Sequence, residues 1–483
     1  MGRDRHPDGV RVDRATPDDL ATYVDASAQI SQMQAPVLHR RSDADSRMFV
    51  MAFDGTGNDK ETDARENWTN VALLHEQVEG LESKTIKTGY VAGPGTQDSK
   101  LAALVDGITG NTFESRIEEG YQQFIDQAAT WLAENPGADI SIAAVGFSRG
   151  AEQAAAFTRL VHERGIQDPD SAVYSRNRAG EIIDVTYTRP PLVAPGEVKQ
   201  AAMLFDPVGT GAPMDHDRRL APSVMGALQI SALHEQRDQF KSSEAIEPGM
   251  SPDRRFLQLW VAGVHSNIGG SYWANGLSDR NFNLAVDYLN SLSDTPVFIK
   301  RSESQDPALN VIHRSHEHQF VYTERGYRDG VRDVVERLAP EAVCRPEPRA
   351  CLEREPIDAG LASTLEWRQV RTTPNPVQPA HVGEAPQVPF WERARDTATP
   401  QQQIDALFDR LALSAQSGDA AGMRAASRDY VRLDAGRDWL QEGREQNAEK
   451  ATARSVETER QNTQQREQVA VEASEIVSPG MRR

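Results

Sequence analysis

One stretch, Asp139–Arg159, constrains the fold of this chain more than any other: Asp-Ile-Ser-Ile-Ala-Ala-Val-Gly-Phe-Ser-Arg-Gly-Ala-Glu-Gln-Ala-Ala-Ala-Phe-Thr-Arg. The apolar, partly β-branched run Ile140–Val145 reads as a buried strand. Gly146-Phe147-Ser148-Arg149-Gly150 follows at once, and then an alanine-rich run with good helix propensity. Strand, tight turn and helix with G-x-S-x-G at the bend form a nucleophile elbow. Such a turn holds its serine in a strained backbone conformation, so the positions two before and two after it must lack bulk. In return the Ser148 hydroxyl stands clear of the sheet, and the Arg149 N–H points at a developing oxyanion beside a helix N-terminus.

The rest of the chain is read around that elbow. Its 483 residues have room for one large α/β domain plus additions. A formal net charge of −19 argues against a nucleic-acid partner and against simple electrostatic adsorption to anionic lipid. No apolar run approaches the length of a membrane span. The first residues, Met1–Leu20, are charged and broken by prolines, so no secretory signal is visible. Synthesis in the cytoplasm is expected, with any export left to a machine that does not read such a signal. Cys344 and Cys351 could pair in an oxidising compartment but are expected to be reduced bystanders, and they cannot supply a four-ligand zinc site.

Residues 1–46 are polar without sustained periodicity and read as a mobile arm or docking segment. Arg47–Phe53 is a strand running into Asp54-Gly55-Thr56-Gly57-Asn58. A phosphatase of the Asp-x-Asp-Gly-Thr type needs an acid where Ala52 stands, so that reading fails. A second oxyanion donor from the Gly55 or Thr56 N–H remains, with a plain tight turn as the alternative. Phe113, Ile117, Tyr121, Phe124, Ile125 and Ala128 recur at helical spacing and mark a core-facing helix before the central strand.

After the elbow helix, the polar span 168–196 reads as a surface excursion. Val198–Phe205 then reads as a strand ending in Asp206-Pro207-Val208-Gly209, which places an acid where a third triad member belongs; a turn-forming aspartate is the alternative. Residues 210–254 are expected to form a helical cap; His234 within it is the rival candidate for the base, with a structural histidine on a helix as the preferred reading. Phe256–Ala262 is the next strand and delivers Gly263-Val264-His265-Ser266-Asn267-Ile268-Gly269-Gly270. The order Ser148, Asp206, His265 matches the nucleophile–acid–base order of α/β-hydrolases. The spacing of His313, His316 and His318 suits neither a helical zinc site nor a zinc finger, so solvated or locally hydrogen-bonded histidines are expected.

Prolines recur over 372–400, a stiff linker that closes a catalytic domain of 47–371. Two short amphipathic patterns, around Ile404–Leu411 and Met423–Leu433, suggest a small helical module over 401–442. The Gln/Glu-rich tail, 443–483, has too few apolar residues to bury a core.

Five loops occur in an order that resembles one family: Phe53-Asp-Gly-Thr-Gly-Asn58, Gly93-Pro-Gly-Thr96, Gly146-Phe-Ser-Arg-Gly-Ala151, Phe205-Asp-Pro-Val-Gly209 and Gly263-Val-His-Ser-Asn-Ile-Gly-Gly270. It is the α/β-hydrolase-like family that includes the type VI secretion lipase effectors of the first class. Gly276-Leu-Ser-Asp279 also resembles the segment after that family's glycine pair. The resemblance implies a mostly parallel sheet flanked by helices, with Ser148 as nucleophile, Asp206 as acid and His265 as base. It implies glycerophospholipid as substrate at a membrane surface, and no required cofactor, although calcium would be compatible as a structural ion. Pro207 and Glu152 depart from the family pattern at positions bearing on acyl-chain and headgroup preference. The tail is similar in composition to delivery domains of Xanthomonadales type IV secretion effectors. Either secretion route implies a bacterial toxin acting in the target cell's periplasm, with a cognate immunity protein at home. The competing functions are a carboxylesterase on a soluble or polymeric ester and a non-catalytic hydrolase-like adaptor.

Overall fold

The computed structural model describes residues 8, 10–93, 113–177, 180, 182–209, 212–237, 240–317, 332–335, 337–345, 354 and 356–378. By its contacts the chain divides into two units, Met1–Ala385 and Pro386–Arg483. The expected helical module and tail fall in the second unit, outside the described residues; Pro94–Thr96 and His318, in the first unit, also lie outside the described residues.

The first unit is built on seven strands: β1 (Ser46–Phe53), β2 (Ile86–Val91), β3 (Asp139–Phe147), β4 (Lys199–Phe205), β5 (Val224–Ala232), β6 (Gly249–Met250) and β7 (Phe256–Val261). Their order across the sheet is β6-β7-β5-β4-β3-β1-β2, and every neighbouring pair is parallel except β6 with β7. A parallel sheet needs both faces covered, so its strands are apolar at nearly every position. In β1, Met48, Val50 and Ala52 face one core while Phe49, Met51 and Phe53 face the other. The first core is closed by α1 (Pro17–Ile30), α2 (Asn70–Glu79) and, later in the chain, Gly276–Asn290. On the opposite face lie α3 (Phe113–Glu134) and α4 (Arg149–Arg164). The α/β-hydrolase-like architecture expected from the elbow is therefore the one observed.

Three expectations are corrected. Residues 1–46 are no loose arm over the part described: Thr16 caps α1, and Tyr23, Ala26 and Ile30 are buried in the first core. Tyr23 donates from its hydroxyl to the Ala262 carbonyl at 2.5 Å, and the Thr22 hydroxyl accepts from Ala262 N at 3.0 Å. This helix thus braces the exit of β7. Nor is 210–254 a helical cap, because it contains β5, a sheet strand buried along its whole length. Gln229 and Ser231 punctuate its apolar residues and hide the pattern. They are buried because Gln229 Nε2 bonds to Ser231 Oγ and to the Ser243 carbonyl. Lastly, Cys344 is disulfide-bonded and not a reduced thiol.

The expected excursion at 168–196 is an antiparallel hairpin of Ala172–Arg176 with Ile182–Tyr187. The start of the proline-rich segment is docked: Lys300 Nζ donates to the Thr373 carbonyl and to Asn375 Oδ1, and Val377–Gln378 pair with Glu303–Ser304.

A cap that holds a core helix has a measurable worth. Asp19 N donates to Thr16 Oγ1 at 3.1 Å and Thr16 N to Asp19 Oδ2 at 2.8 Å, a reciprocal capping box. Thr16→Ala is expected to cost about 1 kcal/mol of unfolding free energy in urea titration; an unchanged midpoint would mean that the cap contributes nothing to the domain's stability.

Candidate active site

Strand register brings the site together. Phe53 pairs with Gly146, Phe147 with Phe205 and Phe205 with Ile230, so β1, β3, β4 and β5 end on one edge of the sheet. Asp54, Ser148 and Asp206 follow those ends directly, and β7, paired with β5 up to Val261–Ala232, leads into His265. His265 opens a one-turn helix, α5 (His265–Gly269), instead of lying on an open loop.

Ser148 has φ 60° and ψ −128°, the strained geometry of an elbow. Its neighbours leave no room for side chains. A Cβ on Gly146 would lie 2.4 Å from the Gly150 carbonyl oxygen, and one on Gly150 would lie 2.3 Å from the Asp54 carbonyl oxygen. Ser148 N donates to the Phe205 carbonyl at 3.0 Å, fixing the bend to β4. The Phe147 ring packs on the His265 imidazole with centroids 4.6 Å apart, and the Phe240 ring meets it edge-on at 4.9 Å.

Asp206 and His265 are joined directly, Nδ1 to Oδ2, at 2.6 Å. Asp206 is wholly buried, with φ 40°, and its Oδ1 also accepts from Ala232 N at 2.8 Å. Arg332 grips the same carboxylate with both terminal nitrogens, at 2.6 and 3.1 Å. Burial opposes ionisation of Asp206, but the Arg332 guanidinium and the bond from His265 overcome it and hold the carboxyl well below the usual range. Burial pushes the His265 imidazole down, and the Asp206 carboxylate offsets only part of that. Behind it, Glu235 accepts the His265 backbone N–H at 3.1 Å and pairs with Arg237 at 2.9 Å. Against its burial, Arg237 holds the Glu235 carboxyl at about 2. His265 Nε2 and Ser148 Oγ each make no hydrogen bond among the described residues. The two are therefore brought to one edge of the sheet but not bonded, a separation frequent in substrate-free sites.

The candidate oxyanion donors divide. The backbone N–H groups of Arg149 and Thr56 donate to nothing among the described residues, and Arg149 Nη1 ties their two turns together through Thr56 Oγ1 at 2.9 Å. Gly55 is corrected: its N–H is already given to Asp54 Oδ1 at 2.7 Å. Asp54 also accepts from the Thr69 hydroxyl at 2.8 Å and the Tyr90 hydroxyl at 2.7 Å. Even so, burial dominates and raises the Asp54 carboxyl to about 6. Asp54, Glu235 and Arg332 all escape sequence reasoning as site residues. Asp54 at least lies in a quoted motif; Arg332 carries no local signal at all.

His234 stands in a turn after β5, its Nδ1 accepting from Gly263 N at 3.0 Å, a structural role but not a helical one. His313 is buried between Asp8, at 2.8 Å from Nε2, and Asn267, at 3.0 Å from Nδ1. Among the described residues no group of three or more His, Cys, Asp or Glu side chains is placed to hold a metal ion.

Residues 47–181 and 197–297 match the family model of the catalytic domain of Tle1-like phospholipase effectors of the type VI secretion system. The catalytic region belongs to that family. The gap in the match, 182–196, begins with the second strand of the surface hairpin. No curated protein matches the chain. Among solved structures, an uncharacterized protein from Pseudomonas aeruginosa is 17% identical, over 61% of this chain and 51% of its own, with a TM-score of 0.34. A Tle1 effector solved bound to the VgrG spike of the type VI secretion system is 20% identical over 49% of this chain and 52% of its own, at TM-score 0.30. A putative α/β-superfamily hydrolase from Xanthomonas campestris pv. campestris is 13% identical over 50% of this chain and 98% of its own, at TM-score 0.24. The chain thus spans about half the length of the first two structures it matches.

In this Tle1-like domain the Asp54 carboxyl gives a pH test. Its folded-state pKa lies above the ordinary 3.8, so the folded state holds the proton longer than the unfolded chain does. The stability this contributes is full below pH 3.8 and is lost as pH rises through about 6. Asp54→Asn removes the titration. The unfolding free energy of the variant minus that of the wild type is therefore expected to rise by on the order of 3 kcal/mol between pH 4 and 7. A flat difference would show that Asp54 titrates normally.

Proposed function

We propose that this protein is a secreted serine esterase that hydrolyses acyl ester bonds of glycerophospholipids, with Ser148 as nucleophile, His265 as base and Asp206 as acid. The observation that carries the reading is the 2.6 Å bond from His265 Nδ1 to a buried, ionised Asp206, at the sheet edge where Ser148 sits on a strained elbow.

The bond fixes the imidazole tautomer with its proton on Nδ1, so Nε2 is free to accept. As Ser148 Oγ attacks the ester carbonyl, its proton passes to Nε2, and Asp206 stabilises the imidazolium. The carbonyl oxygen becomes an oxyanion facing the N–H groups of Arg149 and Thr56. Removing one such donor typically costs about 3–4 kcal/mol of transition-state stabilisation. Collapse of the tetrahedral intermediate breaks the C–O bond to the leaving alcohol, which takes the proton from Nε2. Water, deprotonated by the same nitrogen, then attacks the acyl-serine, releases fatty acid and restores Ser148.

Membership of the Tle1-like family supports a lipase effector exported by a type VI apparatus. The antibacterial role, the periplasmic target and a cognate immunity protein belong to the same proposal. An intact Ser148, Asp206 and His265 favours catalysis over a docking-only role.

Ser148→Ala is expected to keep the wild-type melting temperature, to lose fatty-acid release from phosphatidylethanolamine/phosphatidylglycerol vesicles, and to lose fluorophosphonate labelling. Undiminished release would place the nucleophile elsewhere. Wild-type turnover of soluble short-chain esters with none on vesicles would replace the phospholipase by a carboxylesterase.

A further inference from the structure

The triad carboxylate has a partner that comes from well outside the family-matched region. Arg332 lies beyond the end of that match at 297, yet its guanidinium is almost wholly buried against Asp206. Nη1 meets Oδ1 at 2.6 Å and Nη2 meets Oδ2 at 3.1 Å, the two-pronged geometry that an arginine supplies and a lysine does not. Two further donors are also used, Nε giving to the Phe240 carbonyl at 2.8 Å and Nη1 to the Ala232 carbonyl at 3.2 Å. Phe240 is the residue whose ring closes one side of the His265 imidazole.

The segment that carries Arg332 is stitched to the acid turn. Ser242 N donates to the Asp333 carbonyl and Val335 N to the Ser242 carbonyl, both at 2.9 Å, while Ser243 N donates to the Pro207 carbonyl at 3.0 Å. A second arginine pins the same segment to the elbow helix. Arg218 Nη1 pairs with Glu152 Oε2 at 3.0 Å, and its Nη2 donates to the Arg337 carbonyl at 2.8 Å. Residues 332–335 are therefore held to the turn bearing the acid, and Arg337 to the helix that follows the nucleophile.

We propose that Arg332 is a positioning residue of the Ser148–Asp206–His265 site: it supplies the resting-state countercharge of Asp206 and holds that carboxylate in the orientation His265 needs. The inference rests on the serine-hydrolase reading above. While His265 is neutral, Asp206 would otherwise be a lone anion without solvent, a state that proteins avoid by neutralising the group. A protonated Asp206 could neither fix the imidazole tautomer nor stabilise an imidazolium. Arg332 keeps it ionised throughout the cycle. The charges facing His265 are Asp206 from the end of β4, Glu235 and Arg237 from the turn after β5, and Arg332 from the segment 332–335. They sum to zero while the imidazole is neutral. Loss of the Arg332 charge leaves the cluster net negative, so the Asp206–His265 pair takes up one further proton at higher pH, and that proton, on either group, removes the free base.

The test uses the full chain, with Arg332→Gln and Arg332→Lys compared against wild type and Ser148→Ala. The readouts are the pH profile of kcat/KM on a soluble p-nitrophenyl ester, fluorophosphonate labelling and melting temperature. Arg332→Gln is expected to move the acid limb up by about one pH unit, which is about a tenfold loss of free base at pH values below the limb. Arg332→Lys keeps the charge and is expected to leave the limb near its wild-type position while lowering kcat/KM at the plateau. A merely structural arginine would lower the melting temperature of both variants without moving either limb, and that result overturns the inference. So does failure of both variants to fold, which would make Arg332 a structural tie only. If Ser148→Ala keeps wild-type turnover, the serine reading falls and takes the inference with it. If Ser148 is essential and labelled but Arg332→Gln keeps the wild-type limb, the Arg332 role alone is lost.

Discussion

A carboxylate with no access to water sets the terms for the rest of this molecule. Asp206 follows the central part of the sheet, and every partner that keeps it charged comes from a different segment. Ala232 supplies a backbone N–H from the end of β5, His265 an imidazole N–H from beyond β7, and Arg332 two guanidinium nitrogens from later still. Each partner alone is an ordinary hydrogen bond or ion pair. Together they fix three chain segments relative to one another, because breaking a buried pair by deleting one member typically costs about 3–5 kcal/mol. The electrostatic requirement of one side chain thus becomes a geometric constraint on the site.

The second constraint is steric and lies at the elbow. Gly150 sits so close to the Asp54 and Phe53 carbonyls that any side chain there would drive α4 away from β1. The same approach brings Thr56 and Arg149 together, so that Arg149 Nη1 reaches Thr56 Oγ1 as a by-product of helix–sheet packing. Asp54 closes the arrangement from below. By accepting from Gly55, Thr69 and Tyr90 it joins the turn after β1 to α2 and β2, at the cost of a carboxyl raised to about 6. The first core helix contributes in a like manner, since Tyr23 and Thr22 take up both backbone groups of Ala262, three residues before His265.

What could be read from the sequence was local. The strand–turn–helix around Ser148 shows itself because strand, glycine pair and alanine-rich helix are contiguous. Asp206 and His265 follow because each stands at the end of an apolar run in hydrolase order. β5 did not show because Gln229 and Ser231 interrupt its apolar run, and the bonds from Gln229 Nε2 to Ser231 Oγ and to the Ser243 carbonyl that accompany their burial are invisible to a hydropathy pattern. α1 was missed although Thr16-Pro17-Asp18-Asp19 is a legible cap, because the polar residues around it outweighed the spacing of Tyr23, Ala26 and Ile30. The Gly55 N–H looked available for an oxyanion because a motif cannot show that its own neighbouring aspartate has already claimed it. Arg332 was beyond reach for the plainest reason: its partner lies 126 positions away, and an arginine in a polar stretch is usually a solvated one.

These pieces bear on one energetic problem, the creation of two opposite charges during acyl transfer where water is scarce. With a neutral imidazole, Asp206, Glu235, Arg237 and Arg332 balance, so the resting cluster carries no surplus that solvent must screen. In the proposed mechanism, proton transfer from Ser148 to His265 would place a positive charge beside Asp206 and a negative one at the first turn of α4. Both arrive where oriented groups already stand, so little reorganisation is needed at the moment of reaction. Burial lowers the His265 pKa and so favours the neutral imidazole that the proposed mechanism needs, while the Asp206 carboxylate offsets part of that depression. The arginine that opposes the imidazolium and the aspartate that favours it are therefore complementary: one sets how readily the base sheds its proton, the other how well it bears it.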